Sequence, residues 1–166
     1  ADQNYVRPIV TREFESSWDM FDRHLYPGGA VRLHLLRTEL GDDAFWAGVR
    51  DYVARYSGEV AETDDFRRCL EAASGRSLAR FFDEWFRSPG YPRLKASFSY
   101  EAKGSEAWLK IEQTQVNAEK GVGLFHFDLD VAVEVEDGHW ERGTLTVDDA
   151  RASMLLPLRK RPLQVV

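Results

Sequence analysis

The chain has 166 residues, 43% of them hydrophobic, which is enough to bury the core of one domain or of two small ones. Its formal net charge of -6 argues against a nucleic-acid partner, because binding to phosphates needs Lys and Arg clustered on one face. No apolar run reaches the roughly 20 residues that a membrane helix needs, and no signal segment opens the chain. We therefore expect no nucleic-acid partner, no membrane partner and a cytoplasmic location.

The single cysteine and the two ends of the chain carry further information. Cys69 alone can form neither an internal disulfide nor a cysteine-rich zinc site. The sequence begins at Ala1 without an initiator Met and ends on a mostly apolar segment at 163–166. These ends predict that the chain is a piece of a longer polypeptide.

From Trp18 to Trp85 the apolar residues recur at intervals of three and four, which predicts helices, and residues 1–91 are expected to form one helical subdomain. A first helix is expected to follow a Tyr-Pro-Gly-Gly turn at 26–29 and to end at Gly41. A second helix is expected to begin near Asp42 and to end before Ser57. Its predicted buried residues are Phe45, Val49, Tyr52, Val53 and Tyr56.

Two more helices are expected before the chain reaches Pro89. Thr63 is predicted to cap a third helix that ends at Gly75, and Ser77 is predicted to cap a fourth. The fourth helix has a strongly aromatic face and is expected to end where Pro89 begins a Pro-Gly-Tyr-Pro passage. The residues of that face are Leu78, Phe81, Phe82, Trp85 and Phe86.

Residues 92–166 change to a period of two, which is typical of strands. The alternation is clearest over 125–135, and Asp137-Gly138 then predicts a hairpin into a strand at 140–147. Further strands are expected at 94–100, 107–116 and 152–158. Because no helices separate these strands, the expected fold class is α+β: a helical subdomain at 1–91 followed by a small antiparallel β-sandwich at 92–166.

The sequence shows no metal-binding motif. Its histidines never occur with H-E-x-x-H spacing or with a Cys or Asp at ligand spacing. They are His24, His34, His126 and His139, and we expect solvent-exposed or hydrogen-bonded side chains there rather than ligands. The Gly28-Gly29 pair lacks the rest of a phosphate-binding loop, so it predicts no phosphate site.

Five segments of the chain share their order and spacing with a known family. They are RPIV at 7–10, LYPGGAVRLHLLRTELGDDAFWAGVRDYV at 25–53, TDDF at 63–66, SGRSLARFFDEWFRSPGYP at 74–92 and WLKIEQTQ at 108–115. This ordered set resembles the zinc aminopeptidase family of the aminopeptidase N type. The resemblance covers nearly the whole chain and implies the helical C-terminal part of a catalytic domain, followed by a β-sandwich.

The same resemblance implies a catalytic role for Tyr26. In that family a Tyr-x-Lys-Gly-Ala stretch carries a tyrosine whose phenol hydrogen-bonds the oxyanion of the tetrahedral intermediate. A phenol is a neutral donor at working pH, and a donor aimed at charge that appears only in the transition state lowers the barrier. This sequence departs from the motif, because Pro27 and Gly28 replace the intervening residue and the Lys. Pro27 is also expected to hold Tyr26 in an extended conformation. A tyrosine that merely packs ahead of a helix is the simpler alternative.

The family's zinc-binding helix, its further ligating Glu and its loop for the substrate amine all precede the segment seen here. The resemblance therefore implies a zinc cofactor in the parent enzyme, with its ligands outside this chain. It also implies a peptide substrate and, as partners, the remaining domains of the same polypeptide. The chain alone is expected to be inactive.

Two other functions stay open from the sequence. A helical unit joined to a sandwich could serve as a protein-interaction scaffold without catalysis. An H-E-x-x-H motif with a later Glu upstream in the gene would favour the aminopeptidase, and its absence would favour the scaffold. A carbohydrate-binding sandwich with Trp108 and Trp140 as stacking platforms is a third reading, although aromatic residues on strands more often belong to a core.

Overall fold

The computed structural model describes residues 7–103, 105–135, 138–158 and 160–166. By its internal contacts the chain divides into two compact units. The helical unit comprises Ala1–Gly90 with Glu119–Val122, and the sandwich unit comprises Tyr91–Ala118 with Gly123–Val166. Helices fill the first unit and two antiparallel sheets the second, so the predicted α+β class is confirmed.

The described residues before Tyr91 form four α-helices, one 3₁₀ turn and one π-helix. The α-helices are α1 (Tyr26–Leu40), α2 (Asp42–Tyr56), α3 (Thr63–Ser74) and α4 (Ala79–Phe82). A 3₁₀ turn at Ser17–Met20 precedes α1, and a π-helix at Asp83–Arg87 continues α4. A short 3₁₀ turn, Ala118–Lys120, lies later in the chain.

Helix α1 begins earlier than the sequence predicts. It starts at Tyr26, so the Tyr-Pro-Gly-Gly stretch is the first turn of the helix and Tyr26 is not extended. Pro27 fits this turn because the first N–H groups of a helix have no intrahelical acceptor. Backbone bonds from the Tyr26 amide to the Asp22 carbonyl (3.3 Å) and from the Gly29 amide to the Leu25 carbonyl (2.9 Å) hold the chain in the helical form.

Two predicted helix caps are wrong, and both differences involve carboxylates. At α3 the N-cap is Glu62, whose side chain accepts from the backbone of Asp65, the third residue of a capping box; Thr63 is the first helical residue. At α4 the N-cap is Leu78, and Ser77 lies before it. The Leu78 amide donates to Glu71 Oε1 at 2.7 Å, so a carboxylate of α3 holds the start of α4. The predicted end of α3 is confirmed, with Gly75 in the left-handed region at φ 68°.

The core of the helical unit forms where α3 crosses α2 and where the aromatic face of α4 and the π-helix is covered. Phe82 and Phe86 stack with ring centroids 4.7 Å apart, and Trp85 stacks on Phe81 at 5.8 Å. On α2 the buried residues are Phe45 and Gly48, whereas Val53 is exposed. The predicted buried face of α2 is therefore only partly right, because α3 approaches closely at Gly48.

The described residues of the sandwich unit form six strands in two three-stranded antiparallel sheets, ordered β1-β2-β5 and β4-β3-β6. The strands are β1 (Leu94–Glu101), β2 (Glu106–Gln113), β3 (Phe127–Val135), β4 (Trp140–Val147), β5 (Arg151–Pro157) and β6 (Pro162–Val165). Alternate residues of the inner faces build one core. Its buried members are Ala107, Leu109, Ile111, Val131, Val133, Val135, Leu145, Val147, Leu156 and Leu158.

Five of the six strands agree with the sequence prediction to within a few residues. Strand β6 was not predicted; it pairs with β3 through Val133 and Val165, far apart in the chain. Strands β3 and β4 pair antiparallel as the predicted hairpin requires, and Gly138 has φ 69°. Asp137, the other residue of that turn signal, lies outside the described residues.

Two buried glutamines form a polar network inside the sandwich unit. The Gln113 amide nitrogen donates to the Phe125 carbonyl (2.8 Å) and the Asp149 carbonyl (3.1 Å), while its oxygen accepts from the Phe125 amide (3.0 Å). Gln115 donates to that oxygen (2.7 Å) and to the Gly123 carbonyl (3.1 Å). These side chains bond backbone groups of Gly123, Phe125 and Asp149, which lie outside the strands.

Candidate functional site

Tyr26 is the first residue of α1, and 61% of its surface is exposed. The buried residues of α1 are Gly28, Arg32 and Leu36, which follow one another at intervals of four and so lie along one face. Tyr26 stands outside this buried face, at the end of the helix where backbone N–H groups and the positive end of the helix dipole are found. Its phenol is therefore presented to solvent rather than used in packing.

An exposed row of aromatic rings adjoins Tyr26. The Phe21 ring lies 6.2 Å from the Tyr26 ring between centroids, and the Trp18 ring lies 5.5 Å from that of Phe21. Trp18 sits on a 3₁₀ turn that is held by a capping box between Ser16 and Asp19. The turn thus holds an aromatic surface beside the start of α1.

Asp22 fixes the backbone that leads into Tyr26. Its Oδ1 accepts from the Leu25 amide at 2.7 Å, and its Oδ2 accepts from Arg7 Nη2 at 2.7 Å. Burial acts to raise the pKa of Asp22, but the Leu25 amide, the Arg7 guanidinium and nearby His24 outweigh it and hold the pKa below its ordinary value. The ionised carboxylate thus ties the segment at Arg7 to the turn before Tyr26.

Arg32 anchors the first turn of α1 from inside the helical unit. Only 5% of this arginine is exposed, and its guanidinium donates to three backbone carbonyls. Nη1 donates to the Gly28 carbonyl at 3.0 Å, Nη2 donates to the Gly90 carbonyl at 3.2 Å, and Nε donates to the Trp85 carbonyl. The guanidinium therefore joins the turn that carries Tyr26 to the end of the π-helix.

The four histidines form no metal centre with the other described residues. His24 is buried beside Gly28, His34 is exposed on α1, and His126 precedes β3. His139 lies 3.5 Å from Glu141. Within the described ranges there is no group of three or more His, Cys, Asp or Glu side chains that could hold a metal ion. These residues therefore do not fit a zinc site.

The two tryptophans of the carbohydrate-binding reading lie on different sheets. Trp108 is on the outer face of β2, between Ser99 and Leu155 of the neighbouring strands. Trp140 begins β4, opposite Glu134. The structure does not bring the two rings together into one platform, so that reading has no support from the geometry.

Sequence reasoning singled out Tyr26 and missed Asp22 and Arg32. A signal for Arg32 was present: it lies midway between Gly28 and Leu36 at helical spacing, and so falls on the face that is buried. Asp22 lies three residues before Leu25, a spacing at which an aspartate can accept from a backbone amide.

No helix in the described part of the chain is long and apolar enough to span a bilayer.

Comparisons with known proteins place these features in context. Residues 3–85 match the family model described as the peptidase family M1 domain. The chain is 35% identical over 78 residues to aminopeptidase N of Lactococcus lactis subsp. lactis, which is 46% of this chain and 9% of that protein. It is 28% identical over 107 residues to aminopeptidase M1-C of Oryza sativa subsp. japonica, which is 64% of this chain and 12% of that protein.

A solved structure shares the fold. The crystal structure of Legionella pneumophila aminopeptidase A in complex with aspartic acid superposes with a TM-score of 0.75 at 17% identity. The match covers 98% of this chain and 19% of that one. Against the two curated relatives named above, the matched part of the chain amounts to 9% and 12% of their length.

Proposed function

Because this chain belongs to the M1 family of peptidases, we propose that it works as part of an aminopeptidase that removes residues from the amino terminus of peptides. The family model covers residues 3–85, which include the whole of α1, α2 and α3. We propose that residues 1–91 belong to the catalytic domain and that residues 92–166 form the β-sandwich domain that follows it in the chain. The remaining domains of the same polypeptide are its proposed partners.

Zinc is the proposed cofactor of the whole enzyme, where it would supply Lewis-acid chemistry. The described residues do not fit a zinc site, so this proposal assigns the ligands to the rest of the polypeptide. The 166-residue chain by itself is then expected to hold no stoichiometric zinc and to hydrolyse no peptide. Metal analysis of a dialysed sample checks the first point, and one tightly held zinc per chain would refute it.

The proposed role of Tyr26 is to donate a hydrogen bond from its phenol to the oxyanion of the tetrahedral intermediate. One observation carries this assignment: the phenol is exposed at the first residue of α1, although the helix behind it is buried at Gly28, Arg32 and Leu36. A donor at the positive end of a helix favours negative charge that develops nearby. Tyr26 thus acts on the transition state more than on the bound substrate.

Tyr26→Phe in the full-length parent polypeptide tests this role. Loss of one preorganised donor should lower kcat by roughly a hundred- to a thousandfold and leave KM almost unchanged. Tyr52→Phe in α2 is the matched control, because it makes the same chemical change on another helix, and it should keep kcat. A folded Tyr26→Phe enzyme with parental kcat would reject the assignment. A full-length protein that cleaves no peptide at all would instead favour the scaffold.

A further inference from the structure

Arg32 occupies the space beside Gly28, the position at which the Tyr-x-Lys-Gly-Ala motif carries its lysine. A β-carbon built on Gly28 would lie 3.2 Å from Arg32 Nη1. We propose that the Arg32 guanidinium replaces that missing lysine ammonium, and that Arg32 is the residue that positions Tyr26 for catalysis. The catalytic half of this inference rests on the function proposed above; the replacement itself does not.

The first step of the argument is steric. A side chain at position 28 would also meet Ile9 Cδ1 at 3.7 Å and His24 Nδ1 at 3.8 Å, so it would enter a space that is already lined. The closest atom in that space belongs to the guanidinium of Arg32. A lysine at 28 and an arginine at 32 would place two positive charges close together in a buried site. Their repulsion would destabilise the charged form of each side chain. Each cation therefore excludes the other.

The second step concerns hydrogen bonds. A buried cation is tolerated only where its donors are satisfied, and Arg32 meets this condition with the carbonyls of Gly28, Trp85 and Gly90. The last two lie 53 and 58 residues further along the chain. A lysine ammonium also brings several donors, on a flexible stem that starts at position 28. Either residue can thus tie the first turn of α1 to the Trp85–Gly90 segment.

The third step connects this anchor with Tyr26. Tyr26 and Gly28 belong to the same helical turn, so a turn fixed at Gly28 also fixes the backbone that presents the phenol. Asp22 and Arg7 hold the incoming side of this turn, and Arg32 holds the side that faces the π-helix. Arg32 is buried and acts through Tyr26, so its role is positioning rather than contact with substrate.

The test uses the full-length parent polypeptide and two variants. Arg32→Met removes the charge and keeps an unbranched side chain, whereas Gly28→Lys combined with Arg32→Met moves the cation to the motif's own position. Arg80→Met, which breaks the exposed Arg80–Glu84 ion pair, is the matched control. Steady-state kinetics and amide hydrogen exchange over residues 25–33 are measured for each protein.

Arg32→Met should speed exchange in the first turn of α1 by about tenfold and lower kcat by about a hundredfold, with KM nearly unchanged. Moving the cation to position 28 should restore most of both, whereas Gly28→Lys alone should be worse than the parent. In a Tyr26→Phe background Arg32→Met should lower kcat no further, because a positioning residue has nothing left to position. The control should match the parent.

The outcomes separate this inference from the proposed function. Unchanged exchange in Arg32→Met would overturn the anchor, and so would a double variant that fails to fold or fails to recover. Faster exchange with parental kcat would overturn the positioning role while Tyr26→Phe still reports on the proposed function. If Tyr26→Phe keeps its kcat, the catalytic assignment of Tyr26 and with it the positioning role fail. Peptide cleavage by the full-length protein still tests the proposed function, and the exchange data still decide whether the cation at 32 replaces the one at 28.

Discussion

Gly48 of α2 lies directly against Leu70 of α3: a β-carbon at position 48 would lie 2.7 Å from Leu70 Cδ2 and 2.9 Å from Leu70 Cα. The Cys69 carbonyl would be 3.2 Å away. Because two of these atoms, Leu70 Cα and the Cys69 carbonyl oxygen, belong to the backbone of α3, the helix itself would have to move to admit a methyl group. The two helices can therefore approach this closely only while position 48 has no side chain.

We expect Gly48→Ala to lower the free energy of unfolding of the helical unit by about 1 to 3 kcal/mol, as overpacking does. The sign is diagnostic, because Gly→Ala inside a helix normally stabilises by roughly 0.5 to 1 kcal/mol. Gly29→Ala in α1 is the matched control: a β-carbon there meets nothing within 4 Å, so that variant should be the more stable one. Denaturant unfolding followed by circular dichroism measures both, and a stabilised Gly48→Ala would contradict the packing described here.

Trp85 should be among the most costly side chains to remove from the helical unit. It is 6% exposed and stacks on Phe81, so Trp85→Ala should destabilise by about 3 to 5 kcal/mol. Trp18, at 77% exposure, provides the same substitution on the surface, and Trp18→Ala should cost less than about 1 kcal/mol. Equal losses in the two variants, measured by thermal unfolding, would show that burial does not distinguish them.

Gln113 should be hard to replace by an apolar residue of similar size. Gln113→Met keeps the volume but leaves the Phe125 amide and carbonyl without their side-chain partner, which should cost about 1 to 3 kcal/mol. Gln164→Met, on an exposed position of β6, is the control and should be nearly neutral. Denaturant titration of both variants tests this, and a Gln113→Met chain as stable as the parent would mean that the network adds nothing to stability.

Asp22 should make the start of α1 sensitive to acid. Its folded-state pKa is held below the ordinary value, so the carboxylate stabilises the fold above about pH 4, and this contribution is lost as the pH falls through the folded-state value. Asp22→Asn keeps an oxygen for the Leu25 amide but loses the charge, and should cost about 1 to 2 kcal/mol at neutral pH.

The difference between the parent and Asp22→Asn should shrink as the pH falls below about 4, because the parent then carries a neutral side chain too. Arg7→Met, which removes the other half of the ion pair, should reduce the acid sensitivity in the same direction. Unfolding midpoints measured between pH 7 and about pH 2.5 provide the comparison. Parallel profiles for parent and Asp22→Asn would contradict the role of the carboxylate.

The spacing of the apolar residues was enough to predict the fold class and most of the elements. A helix buries one face at intervals of three and four residues, and a strand buries every second residue. The spacing failed where a tertiary contact decides the local structure. Strand β6 has only four residues, and no short turn joins it to β3, the strand with which it pairs. Its place in the sheet therefore leaves no local signal in the sequence. Similarly, the amide of Leu78 at the start of α4 donates to Glu71, seven residues earlier, and no local capping pattern reveals this bond.

The candidate site was predictable only in part, for a similar reason. Tyr26 belongs to a motif that can be read along the chain, and its catalytic role stays a prediction. The helical spacing of Arg32 from Gly28 and Leu36 indicates its burial, but the sequence does not reveal its acceptors, two of which lie more than fifty residues away. The start of α1 was misplaced because Pro-Gly-Gly is typical of a turn that precedes a helix. The bond from the Leu25 amide to the Asp22 carboxylate, which holds the backbone before Tyr26, cannot be seen in the sequence.

The burial of Cys69 gives this protein a built-in reporter of motion. It is the only cysteine in the sequence and lies on α3 next to Leu70, which contacts Gly48. Cys69 is 2% exposed, and burial together with Asp51 raises the pKa of its thiol, so a thiol reagent reaches the sulfur only when the helical unit opens. The rate of labelling at Cys69 therefore measures the opening of that unit alone, because the sandwich unit has no thiol to be labelled.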